Sequence, residues 1–286
     1  RCCIRDRPMP VTSRMICVVI LLGATIATGQ DLSVMTFNVR FDNPGDSLDR
    51  WDLRKGDIVD FIGKTQPAIL GTQEGKHHQV EFMDQNLDNY TYVGVGRDHG
   101  TEAGEYCALF FDTTAVRLEE SGSFWLSETG DTSSVGWDAA ITRICTYARF
   151  RHANGEVFYV FNGHFDHVGA LARENSARQI IDSVDVQRDK GFKVVLLGDF
   201  NSEPETKAFQ VMDASMECGW RNKPSWPIGP KGTFTGFDTT REPTRHIDHI
   251  FTSGFEVLSY QHLDPRSRTG RGLSDHLPVR AELRFK

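Results

Sequence analysis

Cysteine is scarce in this chain. Only six of the 286 residues are cysteine, and three of them lie within the first 17 positions. The other three, Cys107, Cys145 and Cys218, form no Cys-x-x-Cys pair and have no histidine beside them. This pattern argues against a structural zinc site and against a disulfide-rich scaffold. Cys107 and Cys145 both fall in strand-like runs, so a disulfide between them and two buried thiols remain alternatives.

Basic residues are also fewer than acidic ones. The chain has 32 lysine and arginine residues against 39 aspartate and glutamate residues, which gives a net charge of -7. Residues 1–29 contain four arginines and one aspartate, so the rest of the chain is more acidic still. Proteins that bind long nucleic acids rely on basic residues to attract the phosphate backbone. The composition therefore disfavours a nucleic-acid partner without excluding one.

Long apolar segments are missing apart from one near the start. Residues 15–27 form a mostly apolar run, preceded by Arg14 and followed by small residues. A charged start, an apolar centre and a small-residue end are typical of a secretory signal peptide. We predict a signal peptide within residues 1–29 and a secreted or periplasmic mature protein without a membrane span. An uncleaved anchor is the alternative, although a spanning helix needs roughly 20 residues.

Residues 30–286 show no repeat, low-complexity tract or long linker, and we predict that they form a single domain. Apolar runs typical of strands alternate with two helical patterns, at 49–63 and 170–188. The stretch 219–242 is rich in Gly, Pro and Thr and predicts a long surface loop. This order of elements favours two packed sheets flanked by helices. The predicted strands are 32–39, 68–72, 106–111, 144–151, 157–163, 194–197, 247–251 and 278–283.

Polar residues follow several of these strands. After the strand 194–197 come Gly198, Asp199 and, two positions later, Asn201. Side chains two apart in an extended segment point the same way. Asp199 could therefore accept a proton from water or bind a metal, while Asn201 could donate to a phosphate oxygen. The alternative is a turn in which both side chains bond to the nearby backbone.

Glu74 and Asn38 follow two further strands. A carboxylate such as Glu74 suits a hard divalent cation like Mg²⁺. Alternatively, it precedes a helix over 76–87, where the helix dipole would stabilise it. Asn38 has apolar neighbours, and its amide needs hydrogen-bond partners if it is buried. It would either hold a metal-binding carboxylate in place or cap a turn.

Histidines accompany the remaining strand ends. His164 follows the strand 157–163 and is a candidate donor to phosphoryl oxygens. Asp275 and His276 place a metal ligand beside a general base or an electrostatic stabiliser. Asp248 begins another strand and could orient an imidazole. Each motif is weak alone, but together they predict a site that hydrolyses a phosphoester.

In sequence, the chain resembles the endonuclease/exonuclease/phosphatase superfamily, which has the deoxyribonuclease-I-like fold and includes nucleases, sphingomyelinases and inositol phosphatases. The resemblance covers residues 32–284 and rests on TFN, TQE, NGHFDH, GDFNS, HIDHIF and SDHLPV, in the superfamily's order. Longer segments are similar to a secreted bacterial branch of metal-dependent hydrolases. The resemblance implies an α/β fold, a four-layer α/β/β/α sandwich of two mixed sheets flanked by helices, and a metal-dependent phosphoric ester hydrolase.

The resemblance also implies a metal site. One Mg²⁺, or Mn²⁺, would be bound chiefly by Glu74, with Asn38 and Asp275 as further ligands. Nucleases of the superfamily that read abasic DNA have an aspartate where this chain has Arg40. This departure argues against a second metal and against a nuclease.

For catalysis, the resemblance implies in-line attack of water without a covalent intermediate. Asp199 would activate the water, and Asn201 and His164 would bind the phosphoryl oxygens. His276, oriented by Asp248, would stabilise the developing charge.

Two arginines are further candidates for binding the substrate. Arg143 either contacts the phosphate or forms a surface ion pair, and Arg40 could line the substrate mouth. The leading interpretation is a secreted, Mg²⁺-dependent phosphoesterase that acts on a phosphomonoester or phosphodiester, either small or linked to a glycan or lipid. The alternatives are a secreted nuclease of the same fold and a non-catalytic binding module. Neither the exact substrate nor the oligomeric state follows from any motif.

Overall fold

The computed structural model describes residues 31–221 and 227–286. The predicted signal peptide lies outside these ranges. In the described ranges, a 3-10 helix at Pro44–Asp49 precedes four α-helices: α1 Trp51–Thr65, α2 His77–Asn86, α3 Ala170–Asp189 and α4 Lys207–Ser215. The strands are β1 Leu32–Asn38, β2 Ile69–Gln73, β3 Tyr90–Val93, β4 Leu109–Asp112, β5 Val116–Trp125, β6 Ile144–His152, β7 Val157–His164, β8 Lys193–Asp199, β9 Glu217–Cys218, β10 Asp248–Ser253, β11 Phe255–His262 and β12 Val279–Phe285.

The strands form two six-stranded sheets. One has the order β11-β12-β1-β2-β4-β3 and the other the order β5-β6-β7-β8-β10-β9. The pairs β1/β2 and β7/β8 are parallel, and the other neighbours are antiparallel. Both sheets are therefore mixed, as predicted.

Alternate side chains of the central strands face different layers, because successive residues of a strand point to opposite faces. In β1, Val34 packs between the sheets, whereas Met35 packs with residues of α1 and α2. In β8, Val195 packs between the sheets, whereas Val194 packs with residues of α3 and α4. The layers are thus α/β/β/α, which confirms the predicted fold class.

Polar residues replace apolar ones at one end of the core between the sheets. Asn38 ends β1, His164 ends β7 and Asp199 ends β8. Parallel neighbours end at the same edge of a sheet, so His164 and Asp199 are paired in register. Because β10 is antiparallel to β8, its first residue, Asp248, lies opposite Asp199. The fold therefore gathers residues from distant segments at one edge of the sandwich.

Gly198 permits the close approach of the two parallel strands that carry this edge. Its φ is +152°, and a Cβ atom there would lie 2.0 Å from the carbonyl oxygen of Gly163. A side chain at this position is sterically excluded, which explains the glycine directly before Asp199.

Two predictions about individual segments need correction or refinement. The stretch 219–242 lacks helices and strands in its described part, but it is not wholly a surface loop, because Thr233 is fully buried. The predicted strand 106–111 is reduced to Leu109–Asp112, since the backbone N–H of Tyr106 instead donates to the carbonyl of Gly75.

The two cysteines for which a disulfide and free thiols were alternatives, Cys107 and Cys145, are buried free thiols. Over the described ranges, no helix has the length and apolarity needed to cross a membrane.

Three buried histidines pack beside the polar edge. The Nε2–H of His249 donates to the carbonyl of Ser202 at 2.9 Å, and the Nδ1–H of His262 donates to the carbonyl of Pro230 at 2.8 Å. The Nε2 of His262 then accepts a hydrogen bond from the Nε2–H of His246 at 3.1 Å. Burial lowers the pKa of His249 and of His262 from 6.5 to about 4, and that of His246 well below 6.5. The folded cluster is therefore neutral.

We expect the three histidines to lower the free energy of unfolding as the pH drops from about 6.5 to about 4, whereas Asp199, whose pKa is raised to about 7, acts in the opposite direction in this window. In this window the unfolded histidines bind protons that the folded ones resist, so each histidine contributes a slope of up to about 1.4 kcal/mol per pH unit. Urea denaturation at several pH values measures the slope. His262→Gln should flatten it, and His99→Gln, which replaces an exposed histidine outside the cluster, is the control. Equal slopes in the wild type and His262→Gln would contradict this account of the cluster.

Candidate active site

The polar edge opens into a cavity of about 390 Å³. Eight of the ten predicted site residues line it, and the other two, Asn38 and Asp248, lie directly behind those that do. The lining residues among the predicted set are Arg40, Glu74, Arg143, His164, Asp199, Asn201, Asp275 and His276.

Asp199 lies at the centre of the hydrogen-bond network. Its Oδ1 accepts from the backbone N–H of Asn201 at 3.0 Å, and its Oδ2 accepts from the Nδ2 of Asn38 at 3.0 Å. Burial raises the pKa of Asp199 to about 7, although the neighbouring His276 lowers it. A fixed carboxylate with a pKa near neutrality is suited to accept a proton from water.

His276 and Asp248 form a buried ion pair beside Asp199. The Nδ1–H of His276 donates to the Oδ2 of Asp248 at 2.9 Å, and its Nε2 lies 3.7 Å from the Oδ2 of Asp199. Burial opposes the charged imidazole, but Asp248 and Asp199 raise the pKa of His276 well above 6.5. The side chain is therefore an imidazolium that faces the cavity, able to stabilise negative charge.

Thr233 is a residue of the site that the sequence did not reveal. It is fully buried, and its hydroxyl donates to the Oδ2 of Asp248 at 2.6 Å while accepting from the backbone N–H groups of Ile247 and Asp248. Thr233 thus fixes the carboxylate that holds His276. It lies 15 residues from Asp248 in an irregular loop, where no periodic pattern marks it.

We expect Thr233→Val to lower kcat by about 10- to 100-fold, because partners of this kind tune the residues they hold. Thr233→Ser keeps the hydroxyl and should restore most of the activity. Steady-state kinetics with urea denaturation of each variant separates this effect from a loss of folding. Equal activity of the valine and serine variants would show that the Thr233 hydroxyl does not position Asp248.

Arg143 is buried in the cavity wall and does not form a surface ion pair. Its side chain is 4% exposed. Its Nη1 donates to the Nε2 of His164 at 2.9 Å, its Nη2 donates to the Nδ1 of His167 at 3.0 Å, and its Nε lies 3.4 Å from the Oδ2 of Asp166. The guanidinium therefore has a fixed position at the cavity.

This contact also defines the state of His164. An arginine can only donate hydrogen bonds, so the Nε2 of His164 is an acceptor and its proton lies on Nδ1. Burial, and then the charge of Arg143, lower the pKa of His164 well below 6.5. The ring is neutral and positions Arg143. Donation from His164 to a phosphoryl oxygen stays a prediction.

The predicted metal ligands present hard oxygen donors. The Oε1 of Glu74 accepts from the Nδ2 of Asn38 at 3.0 Å, and its Oε2 accepts from the backbone N–H of Phe41 at 3.1 Å. Glu74, Asp199 and His164 offer ligand atoms within 4.8 Å of one another, and the Asp275 carboxylate lines the same cavity. Carboxylates in a polar cavity fit Mg²⁺ or Mn²⁺.

Asn38 has a clear structural function in this arrangement. Its Nδ2 donates to both Glu74 and Asp199, while its Oδ1 accepts from the backbone N–H of Arg40 at 3.0 Å. All its polar atoms are thus engaged with protein groups. In this geometry it holds two carboxylates in place and also caps a turn, so both alternatives that its sequence context left open apply.

A family model described as the Endonuclease/Exonuclease/phosphatase family matches residues 35–276. The chain belongs to this family. It is therefore a phosphoesterase, and enzymes of this family generally use divalent metals. A comparison with curated proteins gives no match.

Several solved structures resemble the chain. A mannosyl-6-phosphatase from Bacteroides thetaiotaomicron is 35% identical, with a TM-score of 0.83 over 89% of this chain and 100% of that one. An endonuclease/exonuclease/phosphatase from Bacteroides vulgatus is 35% identical, with a TM-score of 0.83 over 90% and 100%. The catalytic domain of human nocturnin with a bound sulfate anion is 19% identical, with a TM-score of 0.72 over 90% and 95%. At that identity the likeness establishes the fold alone.

Proposed function

We propose that this phosphoesterase is an exported, Mg²⁺-dependent phosphatase that removes the phosphate from a phosphorylated sugar. The observation that carries the proposal is the cavity of about 390 Å³, which is lined by Asp199, His276 and three arginines, Arg40, Arg143 and Arg245. A cavity of this size suits a small ligand. The 35% identity to a mannosyl-6-phosphatase supports a sugar phosphate, and the acidic composition disfavours a polynucleotide.

Glu74 and Asp275, with Asn38 holding the first of them, would bind the metal ion. When bound, the ion polarises the phosphoryl group and offsets its negative charge. Asp199 accepts the proton of the attacking water as the water oxygen bonds to phosphorus. At the same time the bond between phosphorus and the sugar oxygen breaks, and the sugar oxygen leaves and takes up a proton from solvent. Asp199 is fixed for this step by Asn38 and by the backbone N–H of Asn201.

Three cationic or polar groups then act on the phosphoryl group. Arg143 supplies a buried positive charge, and the Asn201 amide lines the same cavity while one of its N–H groups donates to the Phe165 carbonyl. The His276 imidazolium stabilises the charge that develops in the transition state, and the ion pair with Asp248 fixes its orientation. These fixed donors supply stabilisation without rearranging during the reaction.

A substrate panel tests this proposal. Purified residues 30–286 are assayed with mannose 6-phosphate, glucose 6-phosphate, bis(4-nitrophenyl) phosphate and a single-stranded oligonucleotide, with Mg²⁺ or with EDTA. The proposal expects a kcat/KM for a sugar phosphate at least about tenfold above that for the diester, and none with EDTA. Faster cleavage of the oligonucleotide than of the sugar phosphates would indicate that the protein is a nuclease. Binding of a sugar phosphate without turnover would indicate a binding module.

Export is tested separately. The full chain and a variant lacking residues 1–29 are produced in a bacterial host, and the protein in the cytoplasmic and exported fractions is measured. We expect the full chain in the exported fraction at a reduced mass, and the shortened chain in the cytoplasm. Retention of the full chain in the cytoplasm would contradict export, and retention in the membrane would indicate an uncleaved anchor.

A further inference from the structure

The backbone of Arg40 is held at both of its polar groups. Its φ is +59°, a conformation that non-glycine residues seldom adopt. The backbone N–H donates to the Oδ1 of Asn38 at 3.0 Å, and the carbonyl accepts from the Nη2 of Arg54 at 2.8 Å and from the Nε2 of Gln79 at 3.0 Å. This unusual conformation directs the side chain of Arg40 to the cavity.

The guanidinium of Arg40 is fixed as firmly as its backbone. Its Nε and Nη2 both donate to the carboxylate of Asp46 at 3.0 Å, and its Cζ lies 4.5 Å from the centre of the Phe41 ring. A two-point contact of this kind sets the plane of the guanidinium. An arginine side chain stays protonated in proteins, so the guanidinium presents a fixed positive charge.

Within the described residues, the third nitrogen, Nη1, forms only two long ion pairs. It lies 3.6 Å from the Oδ2 of Asp275 and 3.9 Å from the Oε2 of Glu74, beyond hydrogen-bond distance of either. Over residues 31–221 and 227–286, it makes no hydrogen bond. Arg40 thus presents an anchored positive charge with unused N–H groups beside the predicted metal ligands.

We propose that Arg40 determines specificity by selecting phosphomonoesters over phosphodiesters. The inference deepens the proposed function and rests on it. A phosphomonoester has a second pKa near 6 and carries close to two negative charges at pH 7, with three terminal oxygens. A diester carries one charge and has two such oxygens. The Nη1 of Arg40 supplies a charge-assisted hydrogen bond for the extra oxygen, one that only the monoester can accept.

The position of Arg40 has a second measurable consequence. Its charge lies within 3.9 Å of both Glu74 and Asp275, so it repels a cation that approaches these carboxylates. Removal of the charge should therefore tighten metal binding. Binding of Mn²⁺ can be measured without substrate and does not depend on turnover.

The experiment compares the wild type with Arg40→Gln, Arg40→Lys and the control Arg50→Gln, which removes an exposed arginine outside the cavity. The kcat/KM is measured for 4-nitrophenyl phosphate and for methyl 4-nitrophenyl phosphate. Isothermal titration gives the Kd of Mn²⁺, of inorganic phosphate and of dimethyl phosphate.

For Arg40→Gln we expect kcat/KM for the monoester to fall by about 10- to 100-fold and that for the diester by no more than about threefold. The Kd of inorganic phosphate should rise while that of dimethyl phosphate stays constant, and Mn²⁺ should bind more tightly. Arg40→Lys keeps the charge but loses the two-point contact, so its kcat/KM for the monoester should lie between those of the wild type and Arg40→Gln. Arg50→Gln should match the wild type.

Equal losses on monoester and diester, or an unchanged Kd of inorganic phosphate, would overturn the inference. A wild type that hydrolyses neither nitrophenyl ester and no sugar phosphate would instead contradict the proposed function. The phosphate titration would still decide whether Arg40 selects the dianion. Weaker Mn²⁺ binding by a folded Arg40→Gln variant would also count against the inference, because it would mean that Arg40 supports the metal ligands structurally.

Discussion

Replacement of Asp199 by asparagine is expected to lower kcat by about 10³-fold, with little change in KM. The amide has the shape of the carboxylate but cannot accept the proton of the attacking water, and loss of such a group typically costs 10²- to 10⁴-fold. The carboxylate is fixed by Asn38 and by the backbone of Asn201, so no other group easily takes its place. Steady-state kinetics on the best substrate of the panel measures the effect.

Asp112→Asn is the matched control for this variant. Asp112 also ends a strand, β4, but it lies outside the cavity and bonds to Thr114. Its replacement should leave kcat unchanged. Comparable kcat values for Asp199→Asn and the wild type would show that another residue activates the water.

The second large effect is expected for the ion pair of His276 and Asp248. His276→Gln removes the imidazolium and should lower kcat by about 10²-fold or more. Asp248→Asn leaves the ring but removes the carboxylate that raises the pKa of His276, so it should lower kcat by a similar factor.

The double variant His276→Gln/Asp248→Asn tests whether the two residues act together. Because the two residues act as one unit, we expect the loss of kcat in the double variant to be close to that of His276→Gln alone. Circular dichroism checks that each variant is folded. Losses that multiply in the double variant would mean that the two side chains contribute independently, contrary to the 2.9 Å contact between them.

Much of the fold could be predicted from the sequence, because the central strands have local signals. The runs that precede Asn38, Glu74, His164 and Asp199 are mostly apolar, since strands buried on both faces favour apolar residues. The change to polar residues towards the end of each run is therefore a signal that the sequence itself carries. The shared edge of the parallel strands explains why these residues lie together.

The remaining features of the site depend on contacts between distant segments, which no local sequence pattern indicates. Arg54 is buried and donates to the carbonyls of Val39, Arg40 and Leu273, the last of which is 219 residues away in sequence. In sequence it is an ordinary charged residue of a helix. Thr233 and the buried position of Arg143 were hidden for the same reason, since their partners come from other segments of the chain.

The most direct test of the central claim is the hydrolysis of mannose 6-phosphate in ¹⁸O-labelled water by chelator-treated protein, before and after Mg²⁺ is added. The account predicts that inorganic phosphate is released only with Mg²⁺, that the phosphate carries the ¹⁸O label, and that Asp199→Asn releases almost none. Phosphate release that persists in EDTA, or label in the sugar instead of the phosphate, would contradict it.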